Sequence, residues 1–355
     1  MVYAIRQLTT SFFMQNNEVI ISDATEMGSL GIMHLKRYWD KAMIKKSGGL
    51  AMNALSNEWN IDITLLAVLG LGLEQTIKKL FAFTEDFNAF ENWILAVNNG
   101  KLEQVKVDEF NTYILNRTTE NYKINPSESV LSEVDWNNWN ENGYIILQNA
   151  VPVEDCEAAI STICDFIEIK RDDPVTWYIN NPERQGIMVQ LFQHPALEKN
   201  RRAPKIRAAF EELWGRKDIW VNTDRAGFNP PETANYTFPG PDLHLDVSLE
   251  LPIPFGTQGI LYLADTAFNQ GAFTLVPGFQ NRIANWLQSL PAGSNPRTQD
   301  IHALGSIPIV ANAGDLIIWH QALPHGSSPN TASIPRFVQY LNYAPLDAEV
   351  NENWI

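Results

Sequence analysis

Residues 242–249 read DLHLDVSL, and in this segment polar and apolar side chains alternate. A period of two is typical of a β-strand, on which residues i and i+2 point to the same face. The pattern therefore predicts that the imidazole of His244 and the carboxylate of Asp246 lie side by side. Two histidines and one carboxylate leave the opposite positions of a metal ion open, which suits a non-haem Fe(II) oxygenase. A second histidine must then come from elsewhere in the chain.

The segment LPHGSSP, residues 323–329, contains the best candidate for that histidine. His325 is the predicted third ligand, and His320, five residues earlier at the end of an apolar run, competes with it. Ser327 follows His325 by two residues, so its hydroxyl shares the face of His325 if the segment is a strand.

Arg336 lies eleven residues after His325, in the segment IPRFVQY, where Val338 and Tyr340 continue a strand pattern. If a turn over residues 328–333 joins two adjacent strands, the guanidinium of Arg336 faces the metal pocket. Its planar, always charged fork suits a carboxylate bound through both oxygens, such as the distal carboxylate of 2-oxoglutarate. The alternative is a surface arginine beside a turn.

From about Trp136 to Pro345 the chain resembles the phytanoyl-CoA dioxygenase family of Fe(II)/2-oxoglutarate oxygenases. The resemblance consists of several stretches in the expected order: WNENGYIIL (139–147), VPVED (151–155), HLD (244–246), GAFTLVPGF (271–279), GDLIIWH (314–320), PHGS (324–327) and Arg336. One departure is Phe279-Gln280, where the family commonly has Ser-His.

The resemblance implies that His244, Asp246 and His325 hold Fe(II), since the family uses the later of the two histidines. It also implies that Arg336, Ser327 and Tyr262 bind 2-oxoglutarate, although Tyr262 fits a core tyrosine equally well. The implied reaction consumes O2 and 2-oxoglutarate, gives succinate and CO2, and hydroxylates or otherwise oxidises a C–H bond of a small metabolite or of an acyl or carrier-linked substrate. Halogenating relatives replace the carboxylate ligand, so Asp246 favours hydroxylation.

Two other functions stay open at this point. One is a non-catalytic small-molecule binding protein on the same fold, and the other is a cupin-type isomerase that uses Zn or Mn. Neither needs O2, and the isomerase would not need Arg336.

The predicted fold class is α+β. Residues 1–120 are predicted to form a helical domain for support or for docking of a partner, with helices over 27–46, 62–83, 85–97 and 102–114, and its lone His34 is expected to be structural. Residues 121–133 are a predicted linker. Many short strands with Gly and Pro turns predict a jelly roll (double-stranded β-helix, cupin-like) over 134–355. A protein partner or self-association through the helices is a further expectation.

The net charge, the apolar segments and the cysteine spacing argue against a nucleic-acid-binding, secreted, membrane-spanning or disulfide-bonded protein. The 355 residues carry a formal net charge of −15, which argues against nucleic acid as a partner. No secretory signal opens the chain, and the apolar run 61–73 is too short to span a membrane, so a cytoplasmic location is expected. Cys156 and Cys164 are eight residues apart on a predicted helix, about 12 Å, which is too far for a disulfide.

Overall fold

The computed structural model describes residues 20–51, 54–82, 86–116, 129–351 and 353. Most of the predicted linker (121–128) and the first 19 residues lie outside this set. Within it, a helical N-terminal part is followed by a domain built on antiparallel β-sheets, which confirms the predicted order of the two parts. The jelly-roll topology and the domain boundaries stay predictions.

Among the described residues before position 117 there are five α-helices: α1 (Leu35–Lys46), α2 (Trp59–Val68), α3 (Leu73–Ala82), α4 (Phe87–Val97) and α5 (Gln104–Asn116). The predicted single helix over 62–83 is wrong, because α2 and α3 are separate and meet at 97°. The break falls at Gly70, whose φ of 63° is left-handed and ends a helix readily. The helix predicted over 27–46 begins later, after His34, which also has a left-handed φ of 66°.

A partly buried ion-pair cluster joins α1 to α2 and to Glu58, the residue before α2. Lys41 donates to Glu58 Oε2 at 2.7 Å and to Asp62 Oδ1 at 2.6 Å, and Arg37 donates to Glu58 Oε1 at 2.6 Å. His34 is buried, and its Nε2 lies 2.9 Å from Asp62 Oδ1. His34, Glu58 and Asp62 are residues of metal-binding type, but the ammonium of Lys41 already pairs with both carboxylates.

The second part begins with α6 (Glu133–Asn142), and its sheets contain twelve strands. The strands are β1 (Tyr144–Leu147), β2 (Arg184–Gln185), β3 (Met188–Val189), β4 (Ile219–Val221), β5 (Ala226–Asn229), β6 (Thr257–Tyr262), β7 (Phe273–Leu275), β8 (Ile307–Pro308), β9 (Leu316–His320), β10 (His325–Ser327), β11 (Arg336–Tyr340) and β12 (Tyr343–Pro345). The helices are α7 (Val153–Phe166), α8 (Pro195–Arg201), α9 (Pro204–Trp214) and α10 (Ile283–Ser289).

The strands form three sheets. The largest has the order β1-β9-β6-β11-β5-β3-β2, a second has the order β10-β7-β8, and β12 pairs with β4. All pairs among these strands are antiparallel. Strands β1, β9, β6 and β11 of the large sheet offer their two faces to two different cores, because successive side chains point to opposite sides.

Alternate residues of β11 show the two cores. Phe337 packs in the core that contains residues of α7 and α9, including Cys156 and Cys164. Val338 packs in the other core, with residues of β7 from the smaller sheet. Both cysteines are free, as predicted, and burial raises the pKa of the Cys156 thiol to about 12 and of the Cys164 thiol to about 11. The functional side chains lie at the second core, between the two sheets.

The helical part packs directly on the sheet part. Trp220 of β4 and Leu346 belong to the hydrophobic core of the helices, and Gln193 donates to the Gly70 carbonyl at 2.8 Å. No single helix in the described ranges is long and apolar enough to cross a membrane; the bent pair over residues 56–68 and 73–82 meets that test by length and composition only.

We expect Glu58→Gln to lower the free energy of unfolding by about 2 kcal/mol at pH 7, because it weakens charge-assisted hydrogen bonds. Burial disfavours the charged form of Glu58, but Arg37 and Lys41 outweigh burial and lower its pKa to about 2. A depressed pKa contributes stability above the ordinary value of 4.5 that is lost as the pH falls towards 2.

Urea unfolding at pH 7, 4.5 and 3 measures this contribution. The difference between wild type and Glu58→Gln should shrink as the pH falls. Glu26→Gln is the control, since its pair with Lys36 is exposed and should change stability little. A difference that is independent of pH would contradict the assignment.

Candidate active site

Three side chains with metal-binding atoms converge at the edge of the space between the two sheets. His244 Nε2 lies 3.2 Å from Asp246 Oδ1, and His325 Nε2 lies 3.3 Å from Asp246 Oδ2. All three ligand atoms lie within 4.8 Å of one another. The structure thus brings together the residues for which a metal centre was predicted.

Backbone pairing joins the two segments that carry the histidines. The His244 N–H donates to the His325 carbonyl at 2.9 Å, and the His325 N–H donates to the His244 carbonyl at 3.0 Å. Gly326 permits this approach, because a Cβ at that position would lie 2.5 Å from the Asp242 carbonyl oxygen. The glycine after His325 is therefore part of the geometry of the site.

The predicted strand over 243–249 is wrong, because this segment makes only the isolated bridge between His244 and His325. The guanidinium of Arg297 takes the place of a neighbouring strand and donates to the carbonyls of Leu245 and Val247, each at 2.7 Å. The alternation still holds: Leu245, Val247 and Leu249 are buried, while His244 and Asp246 lie on the other side.

Both imidazoles have a carbonyl partner at Nδ1. His244 Nδ1 lies 2.7 Å from the Asp242 carbonyl oxygen, and His325 Nδ1 lies 2.9 Å from the Leu323 carbonyl oxygen. A carbonyl can only accept, so in the neutral ring each Nδ1 carries the proton and each Nε2 keeps a lone pair. Outer partners of this kind orient metal-binding histidines.

The electrostatics of Asp246 and His244 follow from their proximity. Burial raises the pKa of the Asp246 carboxyl, but its interactions with the imidazoles of His244 and His325 outweigh burial and hold this pKa well below its usual range. Burial lowers the pKa of His244, but Asp246 outweighs it and the net shift is upward. The carboxylate is therefore ionised and available as an oxygen ligand near neutral pH.

Three other histidines of the sheet part lie outside this cluster. His320, the competing candidate, packs its ring on Phe255 and Trp139, and its Nδ1 accepts from the Ala322 N–H at 3.1 Å. Burial lowers the pKa of His320 to about 4. His302 is exposed and bonds Asp242, and His194 is exposed and caps α8.

Arg336 is fully buried, and its three guanidinium nitrogens have no hydrogen-bond partner within the described part of the chain. The predicted hairpin between His325 and Arg336 is wrong, because β10 and β11 belong to different sheets. The connection between them crosses from one sheet to the other. Arg336 lies four residues before Tyr340 on the same face of β11, and Tyr340 lines the cavity at the triad together with Ser327.

The other two residues predicted to bind 2-oxoglutarate, Ser327 and Tyr262, differ in whether their hydroxyl groups are available to a ligand. Ser327 is buried and lines the same cavity as His325 and Tyr340. The Tyr262 hydroxyl donates to the Ile309 carbonyl at 2.9 Å and accepts from the Phe273 N–H at 2.8 Å, so its contacts are those of a core tyrosine. Tyr340 was missed, although it lies four residues after Arg336 on the same face of a strand, which is a signal the sequence contains.

Four polar or aromatic residues precede His244 and Asp246 in and next to β5: Asp224, Arg225, Phe228 and Asn229. Phe228 does not face the site, because it packs in the other core. Asn229 is buried beside Arg336, its register partner, and Asp224 and Arg225 line the cavity at the triad.

The triad opens into a cavity of about 610 Å³ between the sheet part and the helices. His244, Asp246, His325 and Ser327 line one side, and Trp59, Ile63, Leu66 and Leu73 of α2 and α3 line the other. A second cavity of about 550 Å³ adjoins it, and Asp246, Trp59, Ile63 and Leu73 border both. The sequence did not predict that α2 and α3 line this cavity. No local sequence pattern shows which face of a helix packs against a sheet that is distant in the chain.

A family model described as phytanoyl-CoA dioxygenase (PhyH) matches residues 139–338, which is more than half of the chain. The chain belongs to this family. The predicted family is thereby confirmed, and the predicted Fe(II), 2-oxoglutarate and O2 agree with it. A curated phytanoyl-CoA dioxygenase homologue from Dictyostelium discoideum is 30% identical over 119 residues, which cover 30% of this chain and 34% of that protein. The match thus spans about a third of the relative's length.

Solved structures of low sequence identity are also similar to this chain. The epimerase SnoN, in complex with Fe3+, alpha ketoglutarate and nogalamycin RO, is 14% identical with a TM-score of 0.44, over 60% of this chain and 83% of that chain. EctD from S. alaskensis with bound Fe is 15% identical with a TM-score of 0.46, over 65% and 82%. At this level of similarity they do not bear on the substrate of the family member described here.

We expect His325→Ala to abolish Fe(II) binding and His320→Ala to leave it within a few-fold of wild type. His320→Ala should instead lower the unfolding temperature, because it removes a ring that packs on two aromatic residues. Anaerobic competition with a chromophoric chelator measures the affinity. Equal losses of Fe(II) affinity in the two variants would show that the wrong histidine has been chosen.

Proposed function

We propose that this protein is an Fe(II)- and 2-oxoglutarate-dependent dioxygenase that hydroxylates a C–H bond of a small metabolite or acyl substrate and forms succinate and CO2. Membership of the phytanoyl-CoA dioxygenase family supports the class of enzyme. The residues of the site support the choice of metal, cosubstrate and reaction, as follows.

The donor set fits a divalent iron ion. His244 and His325 offer neutral Nε2 atoms, and Asp246 offers a carboxylate oxygen, within 4.8 Å of one another. Two imidazoles and one carboxylate on one side are the ligands that non-haem Fe(II) oxygenases use. Asp246 also disfavours a halogenase, in which this carboxylate is replaced.

The buried guanidinium of Arg336 is the single observation that carries the assignment of 2-oxoglutarate. A charged group without a partner in a protein interior is strongly unfavourable. Such a group persists where a ligand of opposite charge completes it, and a carboxylate matches the guanidinium fork. His325, Ser327 and Tyr340 line one cavity, and Arg336 shares the β11 face of Tyr340, so we place a dicarboxylate with one end at the metal and the other at Arg336. An isomerase that uses Zn or Mn would not need this arginine.

The protein residues hold and orient the reactants. When bound, iron and 2-oxoglutarate supply the oxidising chemistry by activating O2 as 2-oxoglutarate is decarboxylated. His244, Asp246 and His325 hold the metal from one side, and Arg336 with Ser327 fixes the cosubstrate. The aromatic rings of Phe273 and Trp319, which pack beside His325, exclude water from the inner side.

We place the substrate in the cavity between the triad and helices α2 and α3. Its wall is mostly apolar on the helical side, whereas Asp224 and Arg225 add charge near the triad. Its volume falls within the range of small-molecule sites, about 300–1,000 Å³. The helices are thus proposed as one wall of the substrate site, beside their role as support.

We expect Arg336→Ala to raise the KM for 2-oxoglutarate roughly thirty-fold to several-thousand-fold, because loss of one partner of a buried charge pair costs about 2–5 kcal/mol. Arg336→Lys should recover part of the loss, since an ammonium keeps the charge but cannot bind both oxygens. Fe(II) affinity should hardly change. The measurement is succinate formation against 2-oxoglutarate concentration at saturating iron.

Arg201→Lys is the matched control. Arg201 is also buried, but its guanidinium donates to the Phe192 carbonyl at 2.8 Å, so this variant should lose stability and keep the KM for 2-oxoglutarate. Superimposable curves for wild type and Arg336→Ala would contradict the proposed cosubstrate site.

A further inference from the structure

A chain of two side-chain hydrogen bonds ends on the carboxylate of Asp246. The Trp319 indole Nε1–H donates to Gln258 Oε1 at 2.9 Å, and Gln258 Nε2 donates to Asp246 Oδ2 at 3.0 Å. Gln258 on β6 and Trp319 on β9 are register partners in the large sheet. Their side chains therefore emerge next to each other on the face that points to the site.

The chemistry of the indole fixes the orientation of this amide. An indole N–H can only donate, so the side of Gln258 that faces Trp319 must be the carbonyl oxygen. The NH2 group then faces Asp246, whose ionised carboxylate can only accept. A flipped amide would oppose donor to donor at Trp319 and acceptor to acceptor at Asp246, so only one arrangement satisfies both ends.

The packing of Trp319 fixes the position of the indole N–H that begins this series of hydrogen bonds. Its side chain is buried, its ring centroid lies 4.3 Å from that of Phe273, and it packs against His325 at 5.0 Å. Asp246 has no comparable support from its own backbone, because the segment around it is not part of a sheet. The direction of its carboxylate is consequently set by side chains.

We propose that Gln258, held by Trp319, is a positioning residue that keeps the Asp246 carboxylate turned towards the two imidazoles. Trp319 packs on one histidine of the triad and orients the carboxylate through Gln258, so one buried side chain supports two of the three ligands. This inference rests on the proposed iron centre and goes beyond its ligand set.

Gln258→Met tests the proposal, because methionine keeps the length of the side chain and removes its hydrogen bonds. Loss of an outer partner of a metal ligand typically lowers metal affinity about 10–100-fold, and we expect a loss of Fe(II) affinity in this range. The visible absorption of bound Co(II) should also change, since it reports the arrangement of the ligands. Gln321→Met is the control: Gln321 bonds the Pro254 carbonyl, and its loss should leave Fe(II) affinity unchanged.

Trp319→Phe keeps an aromatic ring and removes the N–H, so it should weaken Fe(II) binding less than Gln258→Met does. The double variant should bind Fe(II) no more weakly than Gln258→Met alone, because both changes act through one chain. Losses that multiply would overturn the role given to Trp319.

The unfolding of the metal-free proteins separates positioning from simple support of the fold. If Gln258→Met lowers their stability but binds Fe(II) and Co(II) like wild type, Gln258 is structural and the proposal fails while the proposed function stands. Wild-type protein that binds no Fe(II) would overturn both.

Discussion

The pair of backbone hydrogen bonds between His244 and His325 holds the site together. It joins two segments that are far apart in the chain, and it forms only because Gly326 lets the backbone at Asp242 come close. A side chain at position 326 would push the segments apart and separate the imidazoles. The arrangement of the three metal-binding side chains therefore depends on a contact that involves no side chain, while Arg297 and Gln258 stabilise what that contact brings together.

The backbone contact between His244 and His325 stabilises the folded protein, whereas the buried Arg336 destabilises it in the absence of a ligand. Its burial without a partner disfavours the folded state, because the guanidinium has lost its water and gained no hydrogen bond in return. A bound dicarboxylate would remove this unfavourable contribution to the free energy of folding. The complex should therefore exceed the free protein in stability by more than the contacts of the ligand alone would provide. The same isolation makes the arginine selective, since a neutral ligand could not compensate the charge.

The sequence predicted which side chains converge better than it predicted the elements that carry them. Alternation placed His244 and Asp246 on one side even though their segment is not a strand, because side-chain direction depends on an extended backbone and not on a strand partner. The spacing of His325 and Arg336 suggested a hairpin, but the polypeptide crosses between sheets, and no local pattern distinguishes the two. The break between α2 and α3 has a local signal in the sequence, which is Gly70. The contact of Gln258 with Asp246 and the position of α2 and α3 beside the cavity have none, because they arise from packing between segments that are distant in the chain.

The residues proposed to bind the metal and 2-oxoglutarate belong to a different part of the chain from the residues proposed to contact the substrate. His244, Asp246, His325 and Arg336 all lie within residues 139–338, the range that the family model matches. Trp59, Ile63 and Leu73, which line the opposite wall, lie outside that range. Because Asp246 borders both cavities, a substrate in the site proposed above, held against α2 and α3, would meet the carboxylate side of the triad, and the helices would limit which molecules fit there.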